Sequence, residues 1–193
     1  MDILIKRPAQ LLPNSPLASA FMLLALVTTA DAFAAGSSST AVATSMAPIT
    51  IASTSILSFG RFVPSGSATT VTISNSGVRS GTGGIVLSNT QAASSAAVFT
   101  VSGQANATYS ITHGGATVLT APTGGAGIAL SKTSDFTGKN VVSGQVSIGT
   151  LGAAPSAGAP GTQKIYVGGT IAVAPNQAPG TYSGDITVTV EYN

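Results

Sequence analysis

Few side chains in this sequence could support catalysis or bind a metal. His113 is the only histidine, and the chain has no cysteine. A catalytic or metal-binding histidine needs a partner group and a residue that orients its ring. Gly114 and Gly115 follow His113 directly, and a single histidine without cysteine does not form a typical zinc site. We therefore expect His113 to be an exposed turn residue, and the sequence predicts no metal site.

The carboxylates offer no better basis for catalysis. Beyond residue 34 the acidic residues are Asp135, Asp185 and Glu191. Asp185 and Glu191 fall within one predicted strand, whose rise per residue separates them by about 20 Å. Glycosidases hold their two carboxylates roughly 5–9.5 Å apart. We therefore interpret Asp185 and Glu191 as solvated charges.

Motifs for nucleophilic catalysis and phosphate binding do not occur in the sequence. Serine is abundant, but there is no G-x-S-x-G motif. The glycine-rich run at 81–84 lacks the lysine that a phosphate-binding loop requires, so we predict a turn there. The sequence thus predicts a protein that is not an enzyme, with no catalytic residue and no cofactor.

Charge is scarce along the whole chain. Charged residues make up only 6% of it and the formal net charge is +2, whereas a charged fraction of about 25% is usual. So few scattered cations form no patch for nucleic acid. Serine, threonine, asparagine and glycine supply the polar surface instead, a composition that suits packing against copies of the same chain. We therefore expect self-association and no nucleic acid partner.

The first 34 residues have the layout of a secretory signal peptide. Lys6 and Arg7 precede an apolar run at 17–27. An A-x-A cleavage pattern lies at 32–34, and a second candidate cleavage site lies at 30–32. The apolar run is shorter than the roughly 20 residues that a membrane-spanning helix needs. We predict a signal peptide at 1–34, export from the cell, and a mature form without a membrane span.

The rest of the chain alternates apolar and polar residues. Residues 35–47 are small, polar and only weakly alternating, and the regular pattern begins at Pro48. No segment beyond residue 34 keeps a helical period. Many short strands separated by Gly, Asn and Pro are typical of a sandwich or barrel, and their uneven lengths favour an open sandwich. We predict an N-terminal extension at 35–47 and one all-β, antiparallel domain at 48–193.

Individual strands can also be predicted. The glycines at 114 and 115 predict a hairpin turn between an alternating run at 109–112 and Val118-Leu119. Alternation further predicts strands over Val141 to Ile148 and over Ile165 to Val173.

The clearest predicted strand is the last one. The even positions of 180–193 carry the apolar side chains Tyr182, Ile186, Val188, Val190 and Tyr192. One apolar and one polar face are what a half-buried antiparallel strand requires. An exposed strand edge can pair with an extended segment of another molecule, a mode of recognition called β-strand addition.

The two ends of this domain resemble subunits of the chaperone–usher pathway. Such subunits end in an alternating strand with a penultimate tyrosine and a glycine fourteen places from the end, as Tyr192 and Gly180 stand here. The run at 57–60, Leu-Ser-Phe-Gly, resembles the L-x-F-G block of spore-coat-U-like and archaic pilins. The wider pattern is similar to a family of secreted bacterial domains of unknown function.

This resemblance implies an immunoglobulin-like, pilin-like antiparallel sandwich that lacks one strand. A periplasmic chaperone would supply the strand first, and the N-terminal extension of the next subunit would supply it later. An outer-membrane usher is a second partner that the resemblance implies. The donor would lie in the N-terminal extension, at Val42, Thr44 and Met46. The acceptor groove would be lined from the C-terminal segment by Gly180, Tyr182, Ile186, Val188, Val190 and Tyr192.

The function expected on these grounds is that of a structural, self-assembling surface subunit of a fimbria or coat. Its expected location is the periplasm, the cell surface or a fimbria. The alternative is a monomeric secreted binding or adhesin domain on a complete sandwich, since polar, glycine-rich loops on a β-scaffold are common binding sites.

Overall fold

The structure is a computed structural model that describes residues 35–88, 90, 93–121 and 124–193. The described residues fall into two units, 35–42 and Ala43–Asn193. In the first unit the described residues are exposed and form no strand. The predicted signal peptide at 1–34 lies outside the described residues. No helix among the described residues is long and apolar enough to cross a membrane.

Every regular secondary-structure element in the described residues is a β-strand. The strands are β1 (Thr50–Ser55), β2 (Arg61–Val63), β3 (Thr69–Ile73), β4 (Arg79–Gly81), β5 (Val86–Ser88), β6 (Ala97–Gly103), β7 (Thr108–Gly115), β8 (Val118–Leu119), β9 (Ile128–Asp135), β10 (Ile148–Thr150), β11 (Gly161–Val173) and β12 (Ile186–Tyr192). The prediction of an all-β domain is confirmed.

The strands form three antiparallel sheets. The largest has seven strands, with the order β1-β6-β11-β3-β4 and with β9 pairing both β11 and β8. A three-stranded sheet has the order β10-β7-β12, and β2 pairs with β5 in a short ribbon. Apolar faces pack between these sheets, as the predicted antiparallel sandwich requires.

The core consists of two clusters of buried apolar side chains. The first joins the largest sheet to the three-stranded one: Ala97, Phe99, Val101, Tyr109, Ile111, Val146, Leu151, Ile165, Val167 and Val188. The second lies beneath the other half of the largest sheet: Phe59, Val71, Ile73, Ala96, Ile128, Leu130, Ile171 and Val173.

The side chain of Asn75 links β11 to β9 by hydrogen bonds at the point where β11 changes its partner strand. The first half of β11 pairs with β6 and the second half with β3, with Gly168 between them. The buried Asn75 Oδ1 accepts hydrogen bonds from the Gly168 N–H (2.9 Å) and the Thr133 hydroxyl (3.0 Å). A side chain at position 168 would clash with the Ile73 carbonyl oxygen, which explains the glycine.

Two strand predictions are wrong. Val141 to Ile148 is irregular up to β10, which begins at Ile148, because side chains satisfy part of its backbone: the Asp135 carboxylate accepts the Val141 N–H and the Ser134 hydroxyl accepts the Val146 N–H. The hairpin between β7 and β8 does not form either. β7 continues through Gly115, and β8 pairs with β9 in the other sheet.

Candidate functional site

The C-terminal strand β12 is an edge strand with a half-covered apolar face. Its ladder with β7 runs from Ile186, opposite Gly115, to Tyr192, opposite Tyr109. No strand in the described residues pairs with its other edge. Val188 is buried, whereas Ile186, Val190 and Tyr192 are only partly buried against the first core cluster.

The strand β1 presents a second open edge close to β12. β1 pairs with β6 on one side and, among the described residues, with no strand on the other. Some Cα atoms of β1 and β12 approach within 8 Å, yet the two strands form no ladder. Ile49 and Ile51 pack, partly buried, against the same cluster as Val190. In the described residues, β1 and β12 thus each have one edge without a partner strand, and both border the first core cluster.

An apolar cleft of about 1150 Å³ lies beside the second core cluster, and Ile186, the first residue of β12, is part of its lining. We call it the apolar cleft; its main apolar lining is Leu57, Phe59, Phe62, Leu119, Ile128, Leu130, Ile171, Tyr182 and Ile186. Ile128 and Ile171 are each 1% exposed to solvent and still contribute to its wall. The cleft therefore reaches down to side chains of the second core cluster.

The segment before β12 forms one wall of the cleft without being a strand. Ile186 already pairs with the last residue of β7, so residues 180–185 extend beyond that ladder. They bond to the neighbourhood of β8 instead, through a bridge of Ser183 with Thr120. The predicted continuous strand at 180–193 is therefore restricted to β12.

Tyr182 and Gly180 have different surroundings in this wall. The Tyr182 hydroxyl donates to the Ala178 carbonyl and accepts from the Gln177 side-chain amide, both at 2.8 Å, while Tyr182 lines the cleft. No atom lies within 4 Å of where a Gly180 side chain would begin. Gly180 thus needs no close approach and has no positive φ to explain its identity.

Tyr192 anchors the other end of β12. Its hydroxyl donates to the Ala47 carbonyl at 2.8 Å and accepts the Gln104 N–H at 2.6 Å. The penultimate tyrosine therefore links β12 to the residue where the N-terminal extension joins the domain. Sequence pattern alone identified Tyr192 but not these two partners, which lie far from it in the chain.

The three predicted donor residues lie apart from any strand. Val42, Thr44 and Met46 are exposed, Val42 to 84% and Met46 to 51%. The apolar side chains of Val42 and Met46 are therefore available for a contact that the single chain does not make within the described residues.

The prediction that His113 is an exposed turn residue is wrong. His113 lies in β7, is half-buried, and has Nε2 2.9 Å from the Val146 carbonyl oxygen and 3.1 Å from the Ser134 hydroxyl oxygen. Because a carbonyl can only accept, Nε2 carries the hydrogen. Nδ1 is buried without a hydrogen-bond partner among the described residues. Burial lowers the pKa of His113, the Val146 bond opposes this, and Lys132 lowers the pKa further.

Asp135 has a structural role that its sequence context did not reveal. It is fully buried, and its carboxylate accepts N–H bonds from Thr137, Gly138 and Val141. Burial alone would raise the pKa of Asp135, but these bonds and one from Asn140 outweigh it, so the pKa lies below its ordinary value. In the described part of the chain no three His, Asp or Glu side chains come together.

Comparison with known proteins gives one match. Residues 49–192 match a family described as a domain of unknown function (DUF4402). No curated protein and no solved structure matches the chain.

Proposed function

We propose that this chain, which belongs to the DUF4402 family, is a structural, self-assembling surface subunit that works by β-strand addition. The observation that carries the proposal is the unpaired edge of β12 beside an open apolar cleft that reaches the core. A relation to spore-coat-U-like and archaic chaperone–usher pilins is part of the proposal. So are export by a signal peptide and residence in the periplasm, at the cell surface or in a fimbria.

An added strand would both pair the backbone of β12 and cover its apolar face. Its backbone would pair with the free N–H and C=O groups of β12, and its alternate side chains would cover Ile186, Val190 and Tyr192. Open edges of this kind are aggregation sites unless they are paired or covered. An intermolecular strand turns that hazard into a specific contact.

The N-terminal extension of a second copy is long enough to be the strand. Its 13 residues would span about 40 Å when extended, compared with about 23 Å for the seven residues of β12. Val42 and Met46 lie four residues apart and so share one face of an extended strand. Burying both would contribute roughly 3–6 kcal/mol before entropy is counted, and main-chain pairing would add to this.

A periplasmic chaperone and an outer-membrane usher are the proposed assembly partners. An exported subunit with an open core needs a temporary strand until the next subunit arrives, because the exposed cleft would otherwise promote nonspecific association.

Electron microscopy of the chain from residue 35 onward tests the proposal. We expect fibres or polymers from this chain, and monomers after deletion of residues 36–47. A double variant, Val42→Ser with Met46→Ser, keeps the length of the extension and should also stay monomeric. The matched control exchanges the intervening positions, Ala43→Ser with Ser45→Ala, and should assemble normally. A stable monomer from the unaltered chain would favour the monomeric binding domain. Unchanged fibres from the deletion would overturn the assignment of the donor strand to the N-terminal extension.

A further inference from the structure

A polar pocket of about 400 Å³ lies apart from the apolar cleft and shares no lining residue with it. The side chains and backbone that define it include Ser76, Gly77, Ser94, Thr137, Gly138 and Tyr166. These residues come from the turn after β3, the approach to β6, the loop after β9 and the middle of β11. We call it the polar pocket.

Tyr166 supplies an aromatic ring on the outer face of the largest sheet. Its neighbours Ile165 and Val167 are both fully buried, so strand alternation directs Tyr166 to the opposite face. Gly138, with a φ of 65°, packs against the ring: a side chain there would begin 3.3 Å from Cδ1 and Cε1. The ring is thus held between backbone and sheet while it remains partly exposed in the pocket.

Several hydroxyl groups line this pocket together with the ring. The hydroxyls of Tyr166 and Ser94 have no hydrogen-bond partner among the described residues. The Thr137 hydroxyl oxygen accepts one N–H, from Lys139, at 3.3 Å. The Ser76 hydroxyl contacts the Ser74 hydroxyl at 2.7 Å. The pocket therefore offers several neutral donors and acceptors next to an aromatic surface.

The electrostatics of the pocket favour an uncharged ligand. Every side chain that lines it is neutral. The nearest acid in the loop, Asp135, is fully buried with its carboxylate bonded to backbone N–H groups. Among the residues that line the pocket, none carries a charge that would pair with a phosphate or an ammonium group. A ligand that presents both an apolar C–H face and a rim of hydroxyls would match the ring and the serines.

We propose that the polar pocket binds one residue of a neutral carbohydrate. The Tyr166 ring would pack against a C–H face of the sugar, and the hydroxyls of Tyr166, Ser94 and Thr137 would exchange hydrogen bonds with its hydroxyls. The site does not depend on strand addition, so a subunit of a polymer would display it in many copies, each of low affinity.

Nuclear magnetic resonance titration of the labelled chain from residue 35 onward tests the site. The probes are glucose, galactose, mannose and N-acetylglucosamine, added separately. We expect at least one sugar to cause saturable shifts of the backbone amides of Ser94, Gly138 and Tyr166. We expect Tyr166→Ala to weaken that binding by about tenfold or more, and Tyr166→Phe and Ser94→Ala to weaken it by about threefold.

The matched control is Ser80→Ala, which removes an exposed hydroxyl from β4 outside the pocket and should leave the affinity unchanged. If Tyr166→Ala does not fold, Tyr166→Phe and Ser94→Ala decide the question. The proposal is overturned if none of the four sugars causes saturable shifts at the pocket. Shifts confined to the apolar cleft, or unchanged affinity in the foldable pocket variants, would overturn it equally.

Discussion

β11 and β12 have the same apolar alternation and opposite surroundings. The inward side chains of β11 are at most 1% exposed: Ile165, Val167, Ile171 and Val173. Strands pair with both edges of β11. In β12, Ile186, Val190 and Tyr192 stay partly exposed, and only β7 pairs with it in the described residues. Alternation determines which face is apolar, whereas the neighbouring strands determine whether that face is covered.

The largest expected effect on the free energy of unfolding comes from a substitution in β11, the fully covered strand. Ile165 is completely buried in β11, so Ile165→Ala leaves a cavity in a core that cannot readily collapse. We expect a loss of about 2–5 kcal/mol in the free energy of unfolding, measured by urea denaturation of the chain without residues 36–47. A loss below about 1 kcal/mol would mean that β11 is as loosely packed as β12.

The next effect concerns the polar junction of β11. Asn75→Ala removes the acceptor of the Gly168 N–H and of the Thr133 hydroxyl. Because Gly168 is buried, its N–H would be left without a partner, and we expect a cost of about 1–3 kcal/mol. The same denaturation assay measures it. Ser76→Ala, in the exposed turn beside Asn75, is the control and should change stability by less than about 0.5 kcal/mol.

A smaller effect is pH-dependent and concerns the contact between β7 and β9. The pKa of His113 in the folded chain lies below its ordinary value, chiefly because of burial. The neutral ring is therefore favoured by folding, and its contribution is complete above the unfolded-state pKa of about 6.5. Stability should fall as the pH drops from there through the lower folded-state pKa.

Replacing the histidine isolates this contribution. We expect the thermal unfolding temperature to change less between pH 7.5 and pH 5 for His113→Gln than for the unaltered chain. This range extends about one unit or more to either side of the unfolded-state pKa of histidine. Lys132, whose ammonium donates to the Gly114 and Ala116 carbonyls beside this histidine, is present in both proteins. Equal pH dependence in both proteins would show that His113 does not titrate in this range.

The smallest expected effect on stability comes from a substitution in β12, the partly covered strand. Val190 is only partly buried, so Val190→Ala should cost the isolated domain about 1 kcal/mol or less. The same change should strongly reduce the proposed assembly, because an added strand would cover the part of Val190 that is now exposed. Sedimentation velocity checks the second half of the prediction. If Val190→Ala assembles normally, the apolar face of β12 does not take part in polymer formation.

The sequence was sufficient for the all-β class and for most strand positions, because alternation over β3, β6, β11 and β12 follows the pleat directly. It could not show that β8 pairs with β9, since sheet partners depend on contacts distant in the chain. It also misassigned His113, whose neighbouring glycines extend β7 instead of turning it.

For the candidate site, alternation identified the inward face of β12 but not the cleft. Its lining joins Leu57 and Phe62 with Ile128 and Ile171, residues that no local pattern relates to one another. The buried carboxylate of Asp135 was equally invisible, because its partners are backbone N–H groups of an irregular loop.

Covalent capture is the most direct test of strand addition. The chain has no cysteine, so every disulfide that forms joins engineered positions. We predict that Val42→Cys combined with Val190→Cys gives a ladder of disulfide-linked multimers on a non-reducing gel after mild oxidation. The control, Val42→Cys combined with Ser80→Cys on β4, should give no ladder. Monomers alone from the first pair, or equal ladders from both, would contradict the account.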